Sequence, residues 1–128
     1  MATLVGVARE RGVAGFVGDG ANRWPAVHRS DAARLARLAL EGAPAGSVLH
    51  AVGDEGVALR EVAETMGRHL GLPAASVAPA DAVAHFGYLG FFVGLDSPAT
   101  SAITRQLLAW EPTGRRLLED LDEEHYYR

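Results

Sequence analysis

Apolar residues recur at helical spacing in two parts of the chain. In Leu59–Leu70 they fall every three or four residues on one stripe, with the charged residues elsewhere, which predicts an amphipathic helix that ends at Gly71. A second helix is predicted over Asp31–Glu41, with Ser30 as its N-cap, because a serine hydroxyl accepts a hydrogen bond from the first turn.

Shorter apolar runs predict strands. Val13–Val17 and Ser76–Ala78 are typical of short strands. Ser47–Val52 is apolar on both faces except at His50, which predicts a strand of a parallel sheet with that histidine buried. Gly53–Gly56 is expected to form a loop. The alternation of strands and helices predicts an α/β fold that is rich in helix and has only a few short strands.

The C-terminal third is predicted to be helical. One helix opens at Ser97-Pro98 with Ile103 and Leu107 on its inner stripe, and a last helix follows Thr113, its expected cap. Between them, Trp110 is expected to pack in a connection.

Composition limits the chemistry of the chain. It has 128 residues and a net charge of −4, so we expect one domain over residues 1–128 and no nucleic-acid partner. It contains no cysteine and no lysine. These absences exclude thiolate zinc sites and lysine-dependent catalysis. The five histidines show no metal-ligand spacing, so no metal site is predicted.

The apolar runs also bear on localisation. None approaches the ~20 residues that cross a bilayer, and the first ten residues lack the pattern of a signal peptide. We therefore expect a cytoplasmic protein with no membrane partner.

Three glycines, Gly15, Gly18 and Gly20, have a spacing that invites comparison with a dinucleotide-binding loop. Such a loop leads directly into a helix. Here Pro25 follows closely and disfavours an immediate helix, so an ordinary turn is the favoured interpretation.

The stretch that follows is the richest in functional groups. Asn22, Arg23, Trp24 and His28 precede the helix that starts near Asp31. A guanidinium forks onto a phosphate or carboxylate, and an indole stacks on a planar ring, so these residues are candidates for substrate binding. The alternative is structural: Trp24 belongs to the core, Asp31 only caps, and the arginine is solvated.

In order and spacing, several motifs resemble the C-terminal part of the extended short-chain dehydrogenases/reductases, the NAD(P)-dependent epimerase/dehydratase family. They are Gly18-Asp19-Gly20-Ala21-Asn22-Arg23, His28-Arg29-Ser30-Asp31-Ala32-Ala33, Ser47–Val52 with Leu59–Ala63, Leu108-Ala109-Trp110-Glu111-Pro112, and the closing segment Leu117–Tyr127. The resemblance implies the C-terminal portion of a Rossmann-type fold, without the cofactor-binding half.

The resemblance implies a function as well. The chain would be the substrate-binding part of an NAD(P)-dependent oxidoreductase or epimerase acting on a sugar nucleotide or a small carbonyl or hydroxy compound. It would be inactive alone, because the family's glycine-rich loop and Tyr-x-x-x-Lys pair are absent, so no catalytic residue is assigned here. NAD or NADP is implied for the complete family, and no cofactor for this chain by itself.

The same resemblance assigns roles within the polar stretch. Arg23 would bind an anionic group of the substrate, Asn22 and Trp24 would line the same wall, and His28 with Asp31 would fix the junction of loop and helix. The family's arginine commonly lies four residues before the histidine, where this chain has Trp24.

The implied partners follow from the same picture. They are a small-molecule substrate, a cofactor-binding half, or a second copy that covers an exposed apolar face. A stand-alone protein- or ligand-interaction module without catalysis is the alternative function.

Overall fold

The structure, a computed structural model, describes residues 1–128. Six α-helices and four short strands alternate along the chain, and 3₁₀ turns follow β4 and α4. In chain order the elements are α1 (Ala2–Arg11), β1 (Ala14–Val17), β2 (Arg23–Ala26), α2 (Arg29–Gly42), β3 (Asp54–Ala58), α3 (Leu59–Leu70), β4 (Ala74–Val77), α4 (Ala82–Phe86), α5 (Ala102–Leu108) and α6 (Leu117–Leu121).

The four strands form two separate pairs. β1 and β4 are parallel and pair Ala14 with Ala74, whereas β2 and β3 are antiparallel and pair Trp24 with Val57. The β2–β3 ladder contains an irregularity between Trp24 and Ala26, where Pro25 supplies no amide proton. The α/β, helix-rich fold with few short strands is confirmed.

The core forms around α3. Its apolar stripe, including Val62 and Met66, is almost completely buried against side chains from α1, α4 and α6. Gly71 ends the helix in the left-handed conformation with φ of 66°, which glycine adopts without steric cost. The predicted helix over Leu59–Leu70 is therefore confirmed at both ends. No helix of the structure combines the length and the apolar character that crossing a membrane requires.

The start of α2 differs from the prediction in one respect. The cap is His28, whose Nδ1 accepts a hydrogen bond from the amide of Ser30, so the serine lies inside the first turn. The imidazole nitrogen thus takes the role that a hydroxyl or carboxylate usually has. The cap of α6 also differs, since Arg116 and not Thr113 occupies that position.

The strand predicted over Ser47–Val52 does not form. This segment is neither helix nor strand, and β3 begins at Asp54, inside the region expected to be a loop. His50 is exposed, not buried. The apolar pattern reflects strand propensity, but a strand also needs a neighbour for its backbone groups, and no strand of this chain lies beside the segment.

The orientation of α5 is also opposite to the prediction. Ile103 and Leu107 are exposed, and Thr104 and the preceding Ser101 are buried instead. The backbone of a distant segment satisfies the buried polar pair, since Ser101 Oγ donates to the Val52 carbonyl at 2.7 Å and Thr104 Oγ1 accepts from the His50 amide at 2.8 Å. Polar bonds to residues 50–52 therefore decide which face of α5 turns inward.

Candidate functional site

Asn22 and Trp24 lie at the start of β2 and hold the loop that follows α4. Asn22 Nδ2 donates to the carbonyl oxygens of Val93 at 2.9 Å and Leu95 at 3.1 Å. Trp24 Nε1 donates to the same Leu95 carbonyl at 3.2 Å. The polar atoms of both side chains are therefore engaged in positioning the loop over residues 93–95, while the partly exposed indole face remains available for contact.

Arg23 makes a two-pronged ion pair with Asp96. Its Nε lies 3.1 Å from Asp96 Oδ1 and its Nη2 lies 3.0 Å from Oδ2, and its backbone amide donates to Oδ1 at 2.7 Å. The hydrogen bond to the carboxylate raises the pKa of Arg23, and the same bond lowers the pKa of Asp96. Half of the arginine side chain is exposed, so a guanidinium of fixed orientation faces solvent.

His28 and Asp31 build the junction between β2 and α2. The Asp31 carboxylate is buried and accepts hydrogen bonds from the amides of Thr113 at 3.1 Å and Gly114 at 2.7 Å and from Arg34 Nη1 at 3.0 Å. Burial alone would raise the pKa of Asp31, but the bonds from Thr113, Gly114 and Arg34 outweigh it and hold that pKa below its usual value. Asp31 is thus a structural clamp that holds the turn before α6 on the start of α2.

A cavity of about 610 Å³ opens beside this junction. His28 reaches its wall, with Nε2 3.9 Å from Asp120 Oδ1, and Tyr126 donates its hydroxyl proton to Asp120 Oδ2 at 2.6 Å. Burial, followed by the bond to Asp120, raises the pKa of Tyr126 to about 12. The cavity is lined by Ala26, Val27, His28, Arg29, Arg115, Leu117, Asp120, His125 and Tyr126.

The four candidate residues therefore lie at two separate places in the structure. Asn22, Arg23 and Trp24 share the loop over residues 93–96, and His28 faces the cavity by α6. Sequence reasoning did not single out Asp96 or Arg115 at these places. Asp120 carried no signal either, because it lies in an acidic run near the C-terminus and such runs are usually solvated, whereas in the structure Tyr126 engages it.

The glycine turn does not provide a dinucleotide cradle. The chain passes from Gly20 into a strand, β2, and not into a helix whose amides would face a pyrophosphate. A Cβ at Gly20 would lie 2.6 Å from Arg60 Cβ and 2.7 Å from Phe16, so the space beside this glycine is filled by the protein itself. The glycine turn therefore does not fit the pyrophosphate of a dinucleotide cofactor.

The glycine turn has a structural role instead. The Arg60 amide donates to the Gly20 carbonyl at 3.0 Å, and the guanidinium of Arg60 lies 5.6 Å above the Phe16 ring. The turn is therefore packed closely on the start of α3, which explains the need for glycine at position 20, where φ is 68°. Nowhere does the structure gather three histidine, aspartate or glutamate side chains that could hold a metal ion.

Two yeast proteins are similar in sequence over nearly the whole chain. The uncharacterized protein C2A9.02 of Schizosaccharomyces pombe is 45% identical over 124 residues, which cover 97% of this chain and 42% of that protein. The uncharacterized protein YLL056C of Saccharomyces cerevisiae is 44% identical over 118 residues, which cover 92% of this chain and 40% of that protein. The chain thus spans about two-fifths of the length of these curated relatives. No family model matches it.

Solved structures resemble the chain in fold. A dTDP-glucose 4,6-dehydratase from Bacillus anthracis, in complex with NAD, has a TM-score of 0.68 at 19% identity over 97% of this chain and 37% of its own. A UDP-glucuronic acid 4-epimerase from Bacillus cereus, in complex with UDP-glucuronic acid and NAD, has a TM-score of 0.63 at 19% identity. The match covers 99% of this chain and 38% of the epimerase. The chain therefore shares the fold of part of these two enzymes, over somewhat more than a third of their length.

Proposed function

We propose that residues 1–128 form one substrate-binding unit of an NAD(P)-dependent oxidoreductase or epimerase, inactive by itself. One observation supports this most strongly: nearly the whole chain shares the fold of more than a third of two enzymes solved with NAD and, in one case, with a sugar nucleotide. The length of the yeast relatives, of which the chain spans two-fifths, agrees with a function that needs more polypeptide.

The proposed substrate is a sugar nucleotide, and Arg23 is its proposed anchor. Asp96 uses the Nε and one Nη2 donor of the guanidinium, and the other N–H groups of the half-exposed side chain are free for a phosphate oxygen. Trp24 lies next to it with a partly exposed ring suited to stacking on a base or sugar. Asn22 keeps the loop over residues 93–95 in place, so the wall around Arg23 is formed before a ligand arrives.

His28 is proposed to contribute from the neighbouring cavity, where Arg29 and Arg115 add positive charge. A small carbonyl or hydroxy compound is the other substrate class that suits this unit. Such a compound carries no pyrophosphate and would depend on the cavity more than on Arg23.

Equilibrium binding by calorimetry tests the proposal. We expect the isolated chain to bind UDP-glucuronic acid or dTDP-glucose without turnover when NAD or NADP is present. Arg23→Gln is expected to weaken binding by about tenfold or more, because a charged hydrogen bond contributes about 1.5–3 kcal/mol. Arg37→Gln is the matched control, since Arg37 also pairs with a carboxylate, Glu41 at 2.9 Å, but on the exposed face of α2.

Two results would contradict this function. Turnover of a substrate with NAD(P) by the isolated chain would show that the chain holds a complete active site. Equal affinity of the wild type and Arg23→Gln for both sugar nucleotides would remove Arg23 as the anchor, and binding of a carbonyl compound in that case would favour the second substrate class.

The second candidate function, an interaction module without catalysis, is favoured by an exposed aromatic cluster. Tyr88, Phe91 and Phe92 lie close together on the 3₁₀ turn after α4, with ring centroids 5.3 Å apart for Tyr88 and Phe92. Exposed apolar clusters of this kind mark contact surfaces. Light scattering over a concentration series distinguishes the functions: association that Phe91→Ser abolishes, together with no sugar-nucleotide binding, would favour the module.

A further inference from the structure

Arg29, the first residue of α2, is a cation without a partner in the folded chain. The chain has twelve arginines, and each of the others pairs with a carboxylate or bonds a backbone carbonyl. The exposed side chain of Arg29 makes no hydrogen bond and no ion pair, so its N–H groups are all open to a ligand. This guanidinium is therefore not needed to hold the fold together.

The guanidinium of Arg29 belongs to the wall of the cavity of about 610 Å³ beside the start of α2. A second arginine lines this cavity, Arg115, but Glu123 already pairs with it at 2.6 Å. Burial and the bond to Asp120 raise the pKa of Tyr126, whereas the charge of Arg29 acts to lower it, so the guanidinium lies near that phenol. The unpaired positive charge is therefore next to the hydrogen bond between Tyr126 and Asp120.

The Asp120 carboxylate offers an acceptor in the same cavity. Its Oδ2 accepts the Tyr126 hydroxyl at 2.6 Å, whereas its Oδ1 accepts no hydrogen bond and lies 3.9 Å from His28 Nε2. The only side-chain polar atom that is fully buried without a partner is His85 Nε2, so Asp120 Oδ1 is still accessible. One oxygen of a carboxylate that is only 15% exposed therefore remains open to a donor that enters the cavity.

The rest of the wall is largely apolar. It is formed by Ala26, Val27 and Leu117, together with the ring of Tyr126. Sites for small molecules have this character, an apolar lining with a few polar groups that fix the orientation of the ligand. The matching ligand has one negative charge for Arg29, an apolar body for the wall and a donor for Asp120.

We propose that this cavity binds a small hydroxy carboxylic acid, whose carboxylate pairs with Arg29 and whose hydroxyl donates to Asp120 Oδ1. A planar guanidinium binds a carboxylate through two parallel hydrogen bonds, which favours this acid over a neutral compound. The inference rests on the proposed function, because it specifies the second substrate class, the small hydroxy compound, that suits the unit. It does not involve Arg23.

A phosphate monoester is a poorer occupant of this cavity. Such a group carries more than one negative charge at neutral pH. Arg29 supplies the one unpaired positive charge, and the Asp120 carboxylate in the same wall would repel the excess negative charge. A monoanion avoids this repulsion, and its hydroxyl turns the same carboxylate into a favourable partner.

Titration of the isolated chain, followed by nuclear magnetic resonance, tests the site with mandelate as the probe. We expect saturable shifts at the amides of Val27 and Leu117 on the cavity wall, and none at Gly6 on α1, which does not line the cavity. Phenylacetate lacks the hydroxyl, and mandelamide lacks the negative charge. Each is expected to bind at least about tenfold more weakly than mandelate, because each loses a hydrogen bond to a charged group.

A pair of variants on α2 tests the anchor. Arg29→Gln is expected to weaken mandelate binding at least about tenfold and to leave the melting temperature unchanged, because Arg29 has no partner to lose. Arg37→Gln is the matched control, since it makes the same change in net charge on the same helix, away from the cavity. It is expected to keep the wild-type affinity for mandelate.

Three results would overturn this site. They are the absence of saturable shifts with mandelate, equal affinity of the Arg29→Gln and Arg37→Gln chains, and tighter binding of inorganic phosphate than of mandelate. Phenylacetate that binds as tightly as mandelate would contradict the role of Asp120 and with it the hydroxy acid as the ligand class.

The outcomes also separate this inference from the proposed function. Binding of UDP-glucuronic acid that depends on Arg23, without binding of mandelate, would contradict the cavity site and leave the proposed function in place. Mandelate binding that depends on Arg29, together with turnover of a substrate by the isolated chain, would retain the cavity site and contradict the proposed function.

Discussion

The indole of Trp110 donates a hydrogen bond from Nε1 to the backbone carbonyl of Asp31 at 3.1 Å, and both residues are about 99% buried. The carboxylate of the same aspartate accepts hydrogen bonds from the backbone amides of Thr113 and Gly114. A single residue at the start of α2 therefore holds the connection between α5 and α6 through its main chain and its side chain. The junction beside the cavity depends on this arrangement.

Removal of the Asp31 carboxylate should destabilise the protein strongly. Asp31→Ala leaves two buried amides and one guanidinium without their acceptor, and we expect a loss of about 3 kcal/mol in the free energy of unfolding. Urea denaturation measures the change. Arg37→Ala, on the exposed face of the same helix, should leave the midpoint nearly unchanged, and a similar effect of both variants would contradict the clamp.

Stability should fall in acid through the same group. Because the folded-state pKa of Asp31 lies below its unfolded value of about 4, the ionised carboxylate stabilises the fold above that value, and the contribution is lost as the pH falls through the folded pKa. Denaturation midpoints measured from about pH 6 to about pH 2 should show a steeper decline for the wild type than for Asp31→Asn. Parallel declines would contradict this source of acid sensitivity.

Tyr126 should control stability at alkaline pH. Its pKa is raised to about 12, above the value of about 10 that a tyrosine has in the unfolded chain. The neutral phenol therefore stabilises the fold fully at pH values below about 10, and this contribution is lost as the pH rises towards 12. Ultraviolet titration should show a late tyrosine ionisation that Tyr126→Phe removes. If that variant titrates as the wild type does, the hydroxyl is not held by Asp120.

Two glycines should respond to alanine in opposite directions. A Cβ at Gly114 would lie 2.5 Å from His28 Cβ and 2.9 Å from the Asp31 carboxylate, so Gly114→Ala is expected to cost about 1–3 kcal/mol. At Gly6 in α1, nothing lies within 4 Å of the added atom, and Gly6→Ala should stabilise the helix by about 0.5–1 kcal/mol. Thermal unfolding compares them, and a neutral Gly114→Ala would contradict the close packing of the junction.

Local patterns predicted the elements that carry their own stabilising features. The periodic stripe of Leu59–Leu70 and the following Gly71 fix a helix and its end, so α3 agrees with the sequence. Ser47–Val52 shows the limit of this reasoning, because strand propensity is a local property and a ladder depends on a neighbour. The same limit applies to Ile103, whose face of α5 turns outward because Thr104 binds a backbone amide far away in the chain.

The sequence singled out candidate residues, which remain a prediction, but it did not indicate which other residues they contact. The stretch from Asn22 to His28 is distinctive by its mixture of functional groups, whereas Asp96 lies 73 positions from Arg23 and nothing in its own neighbourhood indicates the ion pair. Asp120 was similarly hidden, since a carboxylate in an acidic run resembles its solvated neighbours until the fold brings a phenol against it.

The parallel pairing of β1 with β4 has a consequence for how the chain reaches its fold. Because Ala14 lies beside Ala74, everything from β2 to the end of α3 is enclosed in the loop that this ladder closes. Such a contact forms late and at an entropic disadvantage, since it reduces the freedom of a long intervening stretch. A nascent chain interrupted before Val77 would therefore expose β1 as an unmatched edge, and synthesis must pass this point before the first strand is secured.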